Sequence, residues 1–144
     1  TVMKFCQARL SPPLIGQIIA EASLDADPDY LMDVYEEYVE RRKFLIDRLN
    51  QIPGVYSPIP MGAFYTIARL PVDDADKFCE WCLSDFEYEG QTVFLAPASG
   101  FYTSPGLGKD EVRIAYILNK EDLGNALTVL EKALEAYNIH RNKN

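Results

Sequence analysis

An α+β fold is predicted: a small β-α-β-β-α sheet with its helices on one face, preceded by a long helix and by a further helix near the start. Three observations predict it. From Gly62 onward the apolar residues change period in the order strand, helix, strand, strand, helix. Between Asp27 and Gln51 an apolar stripe advances in alternating steps of four and three residues, the spacing of one helix packed along most of its length. Between Ser11 and Ala22 a second helical pattern stands apart, with no clear packing partner elsewhere in the chain.

Each element has its own warrant. Ser11-Pro12-Pro13 reads as a helix start, with Ser11 as cap and Pro12 in the first turn. Leu14, Ile15, Ile18, Ile19 and Ala22 then share a face, and the acidic run from Asp25 to Asp27 breaks it. Asp27-Pro28 opens the long helix, whose stripe is Leu31, Tyr35, Tyr38, Leu45 and Leu49 with Arg42 in one slot. Ile52-Pro53-Gly54 ends it, and Tyr56 to Met61 is a Pro-punctuated connector. Gly62 to Leu70 is rich in aromatic and β-branched residues and reads as a strand up to Pro71. Asp73 or Asp74 caps a third helix with Ala75, Phe78, Cys79, Cys82, Leu83 and Phe86 inward, closed by Gly90. Val93 to Ala96 is a short strand stopped by Pro97, and Val112 to Leu118 is the next. Asn119 caps the last helix, with Asp122 at the capping-box position and Leu123, Ala126, Leu127, Leu130, Leu134 and Tyr137 on its core face. His140 to Asn144 is a polar tail expected to fray.

Composition narrows the function classes. A chain of 144 residues with 48% hydrophobic and 25% charged residues can bury a sizeable core. A net charge of −8 argues against a nucleic-acid surface, which needs clustered Lys and Arg. No apolar run approaches the roughly 18 residues of a membrane span. The odd count of three cysteines, without disulfide spacing, points to the reducing cytoplasm.

Most chemical signals have plain explanations. Cys79-Glu80-Trp81-Cys82 matches a redox motif, yet both thiols fall past the first helical turn on its apolar face, so core packing is expected. With His140 the sole histidine, no metal site is expected. Gly106-Leu107-Gly108-Lys109 lacks the Ser or Thr that a phosphate loop needs next, since Asp110 stands there, and reads as a surface turn. The acids Glu36, Glu37 and Glu40 precede Arg41, Arg42 and Lys43, the order a helix dipole favours on a solvated face. Arg113 is different. It is a lone charge in the apolar run Val112 to Leu118, just after a loop holding Gly100, Pro105, Gly106 and Gly108. A guanidinium on a rigid strand beside a mobile loop suits carboxylate capture, because its donors form a planar fork. From spacing alone, an ion pair with Glu111 or Asp110 fits equally well.

The stretch Thr92 to Tyr116, with its strand, proline, small residues, loop and closing "VRIAY", resembles the end of a class I (fold-type I) pyridoxal-phosphate-dependent aminotransferase, the family that includes aspartate aminotransferase. "PMGAFYTIARL" (Pro60 to Leu70) is similar to the strand that opens the family's small domain, and "SPPLIGQIIAEA" (Ser11 to Ala22) to the segment after the cofactor lysine. The resemblance implies residues 1–26 as a remnant of the large cofactor-binding domain, 27–61 as bridging helix and connector, and 62–144 as the C-terminal small domain. It implies a parent enzyme, a homodimer, that uses pyridoxal phosphate to exchange an amino group between an amino acid and a 2-oxo acid. In that enzyme Arg113 would bind the substrate α-carboxylate. The family's Ser-x-x-Lys pattern is absent: Lys4 in VMKFCQ has no serine before it. The chain is therefore expected to begin past the cofactor lysine, to contain no catalytic or cofactor-binding residue, and to be inactive by itself. Animal-type aspartate aminotransferases carry a further arginine after their Pro-Pro; the matching residue here is Ile18, so dicarboxylate recognition by that route gains no support. Two other classes compete: a stand-alone regulatory domain binding a small molecule, and an interaction module built on the long helix.

Overall fold

The computed structural model of the chain describes residues 2–8 and 11–141. They divide into two compact units, one up to Glu36 and one from Glu37 onward.

The first unit holds α1 (Val2–Ala8), α2 (Leu14–Ala22), a single 3-10 turn at Ser23–Asp25 and the first turns of α3 (Pro28–Leu49). Sequence pattern left α1 unassigned. The cap of α2 is Pro13, not Ser11: Pro13 is extended at φ −56 and ψ 145, and its carbonyl accepts from Gln17 N at 3.1 Å. The reason is steric. Each proline disfavours helical geometry in the residue before it, so Pro12-Pro13 holds Ser11 and Pro12 extended and the helix starts at Leu14. At α3 the expected signal works, with Asp27 Oδ1 accepting from Asp29 N at 3.0 Å and Pro28 at the first helical position.

The second unit begins within α3 and adds β1 (Tyr65–Arg69), α4 (Ala75–Ser84), β2 (Ala96–Pro97), β3 (Glu111–Ala115) and α5 (Lys120–Arg141). The three strands run β1-β3-β2, antiparallel at both pairings. Alternation along the strands turns Thr66, Ala68, Val112 and Ile114 inward. There Ala68, Val112 and Ile114 join one core with Leu45 and Leu49 of α3, Phe78 and Cys82 of α4, and Leu127 and Leu130 of α5. The helices thus cover one face, as the α+β reading required.

The buried polar side chains Ser57 and Thr66 are matched to each other. The Ser57 and Thr66 hydroxyls meet at 2.8 Å, while Asn50 donates to Ser57 O at 3.0 Å and accepts from Ser57 N at 2.8 Å. This ties the connector to β1. Arg42, in its slot on the stripe, donates to Pro60 O at 3.1 Å.

Several boundaries differ from the sequence reading. Pro97 lies inside β2, opposite Val112, because an edge strand tolerates a missing N–H; the strand is Ala96–Pro97 rather than Val93 to Ala96. β3 ends at Ala115, and Ile117 and Leu118 are exposed. α4 ends at Ser84, Leu83 within it is exposed rather than inward, and Gly90 belongs to a turn closed by reciprocal Tyr88–Gln91 hydrogen bonds. Asp74, the second of the two candidate caps, accepts from Asp76 N and Lys77 N. Asn119 Oδ1 accepts from Asp122 N at 2.9 Å as expected of a cap. α5 then continues through His140, which packs 5.7 Å from the Trp81 ring, so only 142–144 of the expected tail lie outside the described residues. Aromatic packing on Trp81 and Tyr137 accounts for the extra turn.

Candidate carboxylate site on the open sheet face

The face of the sheet away from the helices carries Tyr65, Ile67 and Arg69 on β1 and Glu111, Arg113 and Ala115 on β3. The helices of the second unit pack on the core face, and Arg113 at the middle of the central strand is exposed. Its cross-strand neighbours are Ile67 on one side and Ala96 on the other. Among the described residues no carboxylate lies within ion-pairing distance of it. Of the two acids that sequence offered as partners, Glu111 accepts a hydrogen bond from the Tyr102 hydroxyl instead. The Arg113 guanidinium lies instead 5.3 Å from the centre of the Tyr65 ring and 5.1 Å from that of Phe101, both within cation–π range. Arg69 stands over Tyr56 at 5.9 Å.

The loop after β2 is fastened rather than loose. Ala98 N donates to Glu111 O at 2.9 Å, Phe101 N to Ala98 O at 3.0 Å, and Ser99 Oγ to Asp76 at 2.8 Å. Gly108 has a left-handed backbone, φ +71, and the Tyr102 ring lies against it so closely that a Cβ would sit 2.5 Å from a ring carbon. The Gly-Leu-Gly-Lys stretch is therefore a turn shaped to receive a tyrosine. Tyr65 was legible as an outward residue by alternation along β1, whereas nothing local marked Phe101, Tyr102 or Gly108 as its companions.

Other candidates do not form a site. Cys79 and Cys82 are buried, free thiols; burial pushes them up to about 11 and about 12, with Asp76 adding to the first and Cys79 to the second. That is the behaviour of packing residues. Among the described residues no group of His, Cys, Asp or Glu is placed to hold a metal. A hollow of about 340 Å³ lies between the segment around Phe94 and α5, lined by Leu95, Ile114, Leu118, Ala126 and Leu130, and contains no charged side chain. The described lysines lie elsewhere: Lys4, Lys43, Lys77, Lys109 and Lys120 are exposed, and Lys132 pairs with Glu135 at 2.8 Å. No helix is long and apolar enough to cross a membrane among the described residues.

No protein-family model matches the chain. Individual proteins do. Aspartate aminotransferase of Pyrococcus horikoshii is 36% identical over 105 residues, which cover 72% of this chain and 25% of that protein. The solved structure of alanine aminotransferase from Pyrococcus furiosus superposes with a TM-score of 0.72 at 28% identity, over 92% of this chain and 33% of its own. An α-aminoadipate aminotransferase from Thermus thermophilus, complexed with N-(5'-phosphopyridoxyl)-L-leucine, gives a TM-score of 0.75 at 21% identity, a likeness of fold, over 94% of this chain and 34% of its own. The chain thus spans a quarter to a third of the length of the proteins it matches. Sequence likeness to one such enzyme and shared fold with the others, around an open-faced sheet with a solvent-facing arginine, identify the chain as a member of the aspartate aminotransferase-like pyridoxal-phosphate-dependent aminotransferases.

Proposed function

We propose that this chain is the C-terminal part of a pyridoxal-phosphate-dependent aminotransferase, and that it supplies the α-carboxylate-binding arginine, Arg113. In this reading residues 1–26 belong to the large domain, 27–61 bridge the two domains, and 62–144 form the small domain. The whole enzyme exchanges an amino group between an amino acid and a 2-oxo acid, as a cytoplasmic homodimer. The observation that carries the reading is Arg113 itself, exposed on the central strand of an uncovered face and without an acid partner among the described residues.

Pyridoxal phosphate, when bound in such an enzyme, supplies the electron sink for amino transfer. In this reading its site is completed by residues beyond those described here, a view supported by the apolar, uncharged lining of the hollow beside α5 and by lysines that are exposed or paired with an acid. No step through the cofactor is assigned to them. The contribution of this chain is substrate capture. Arg113 offers a carboxylate two parallel N–H donors, and β3 fixes their origin.

In the longer enzyme, Arg113→Lys keeps the charge but loses the fork. A charge-assisted hydrogen bond contributes on the order of 1.5–3 kcal/mol, so kcat/KM should fall at least about tenfold while folding and cofactor uptake survive. Near-normal kcat/KM in that variant would overturn the assignment. For the 144-residue chain alone, a stoichiometric visible band from pyridoxal phosphate held on one lysine would contradict its proposed inactivity.

A further inference from the structure

Resting on the reading of Arg113 as a carboxylate binder, we propose that Tyr65 and Phe101 are its positioning residues, holding the guanidinium over their rings so that its N–H donors stay free for substrate. An exposed arginine on a bare sheet face would otherwise sample many rotamers. An acid partner would fix it, but would occupy the fork and cancel the charge. A ring face attracts the cation through its quadrupole and uses none of the donors.

The two rings come from the elements on either side of β3. Tyr65 stands on β1, and Phe101 follows β2 in the chain. The centroids lie 5.3 and 5.1 Å from the guanidinium carbon, nearly equal distances. Small side chains open the space: Ala115 faces Tyr65 across the strands, and Ala96 faces Arg113. The nearest acid on the same strand, Glu111, is engaged by Tyr102. Phe101 is 55% exposed and contributes nothing to the buried core, so core packing does not account for its place. Its backbone is instead pinned by Ala98 and by the Ser99–Asp76 hydrogen bond.

The test uses the 144-residue chain labelled with ¹⁵N, the Arg113 Nε–H signal being assigned by its loss in Arg113→Lys. Sodium acetate serves as the carboxylate probe, and far-UV circular dichroism checks each variant's fold. Phe101→Leu and Tyr65→Leu keep apolar bulk and remove a ring. Each should move the Nε–H signal out of its ring-current position and weaken acetate binding about threefold, the size of an exposed cation–π contact. Phe101→Tyr should restore both. Leu variants with wild-type signal and affinity, in a protein where Arg113→Lys still abolishes binding, would overturn the positioning role and leave the carboxylate site standing. So would a loss that Phe101→Tyr fails to rescue. If Arg113→Lys itself binds acetate like wild type, the carboxylate reading falls and the positioning role falls with it.

Discussion

Gly108→Ala isolates the joint on which the loop beside Arg113 depends. The added Cβ meets Tyr102 ring carbons at 2.5 and 2.6 Å, separations that atoms in proteins do not tolerate, and makes a tight contact with Ala98 O at 3.0 Å. The left-handed backbone at φ +71 disfavours alanine by about 1–2 kcal/mol on its own. Relieving the clash requires the Tyr102 ring to leave, and its hydrogen bond to Glu111 goes with it. Both partners are at the surface, so that loss is nearer 1 kcal/mol than the 3 of a buried charged pair. The sum is about 2–3 kcal/mol, or roughly 8–12 °C in Tm for a unit of this size. Urea unfolding followed by circular dichroism and Trp81 fluorescence measures it. Tyr102→Ala in the same background removes the obstructing ring, so adding Gly108→Ala there should cost only about 1–2 kcal/mol. If Gly108→Ala is as stable as wild type, or costs as much without the Tyr102 ring as with it, the steric argument is wrong.

Three further outcomes are expected. The pKa values of Cys79 (about 11), Cys82 (about 12) and Tyr137 (about 12) are raised first by burial, then by Asp76, Cys79 and Asp73 respectively. Such groups favour the fold fully below their unfolded values and lose that contribution as pH climbs through the folded ones. Urea midpoints should therefore fall above pH 9, the ordinary thiol value, and, in a Cys6→Ser background, a native-state Cys79 or Cys82 that reacts with a disulfide reagent as fast as when unfolded would refute the burial. Phe78→Ala empties a fully buried site against Trp81 and Tyr137 and should destabilise by about 3–5 kcal/mol in the same assay, whereas a loss under 1 kcal/mol would deny it a place in the core. Leu14, Ile15, Ile18 and Ile19 are 56–72% exposed along α2, so the chain should self-associate in sedimentation and Ile18→Asp should weaken that association; a strictly monomeric wild type at high concentration would count against it.

What could be read from the sequence followed from how local each signal is. The order of elements from Gly62 was legible because strand alternation and helical spacing repeat over many residues, and Asp27, Asp74 and Asn119 capped where a short oxygen side chain can reach a free N–H. Ser11 did not cap, because the Pro-Pro after it imposed a backbone that outweighs side-chain preference. The short β2 was misplaced because its two residues carry no period, and Pro97 looks like a terminator unless the strand is known to be an edge. Arg113 could be singled out as a charge in an apolar run. Its neighbours could not, since Phe101 reaches it through a 3-10 turn and the antiparallel register decides that Tyr65 lies near. Whether an acid held it was open in the sequence and depended on Tyr102, nine residues away from the Glu111 it engages.

The buried hydroxyl pair of Ser57 and Thr66 has a bearing on the opposite side of the sheet. Sliding β1 by one residue would turn Thr66 to solvent and cost the Ser57 hydroxyl its shortest hydrogen bond, 2.8 Å, while Tyr65 and Ile67 were driven into the helix layer. A slip of that kind is therefore penalised beneath the sheet, where water cannot compensate. The same slip would take the Tyr65 ring off Arg113 and set a different residue across from it. Two hydroxyl groups buried from solvent thus act as a key for strand alignment, and the lock they turn is the arrangement of side chains around Arg113.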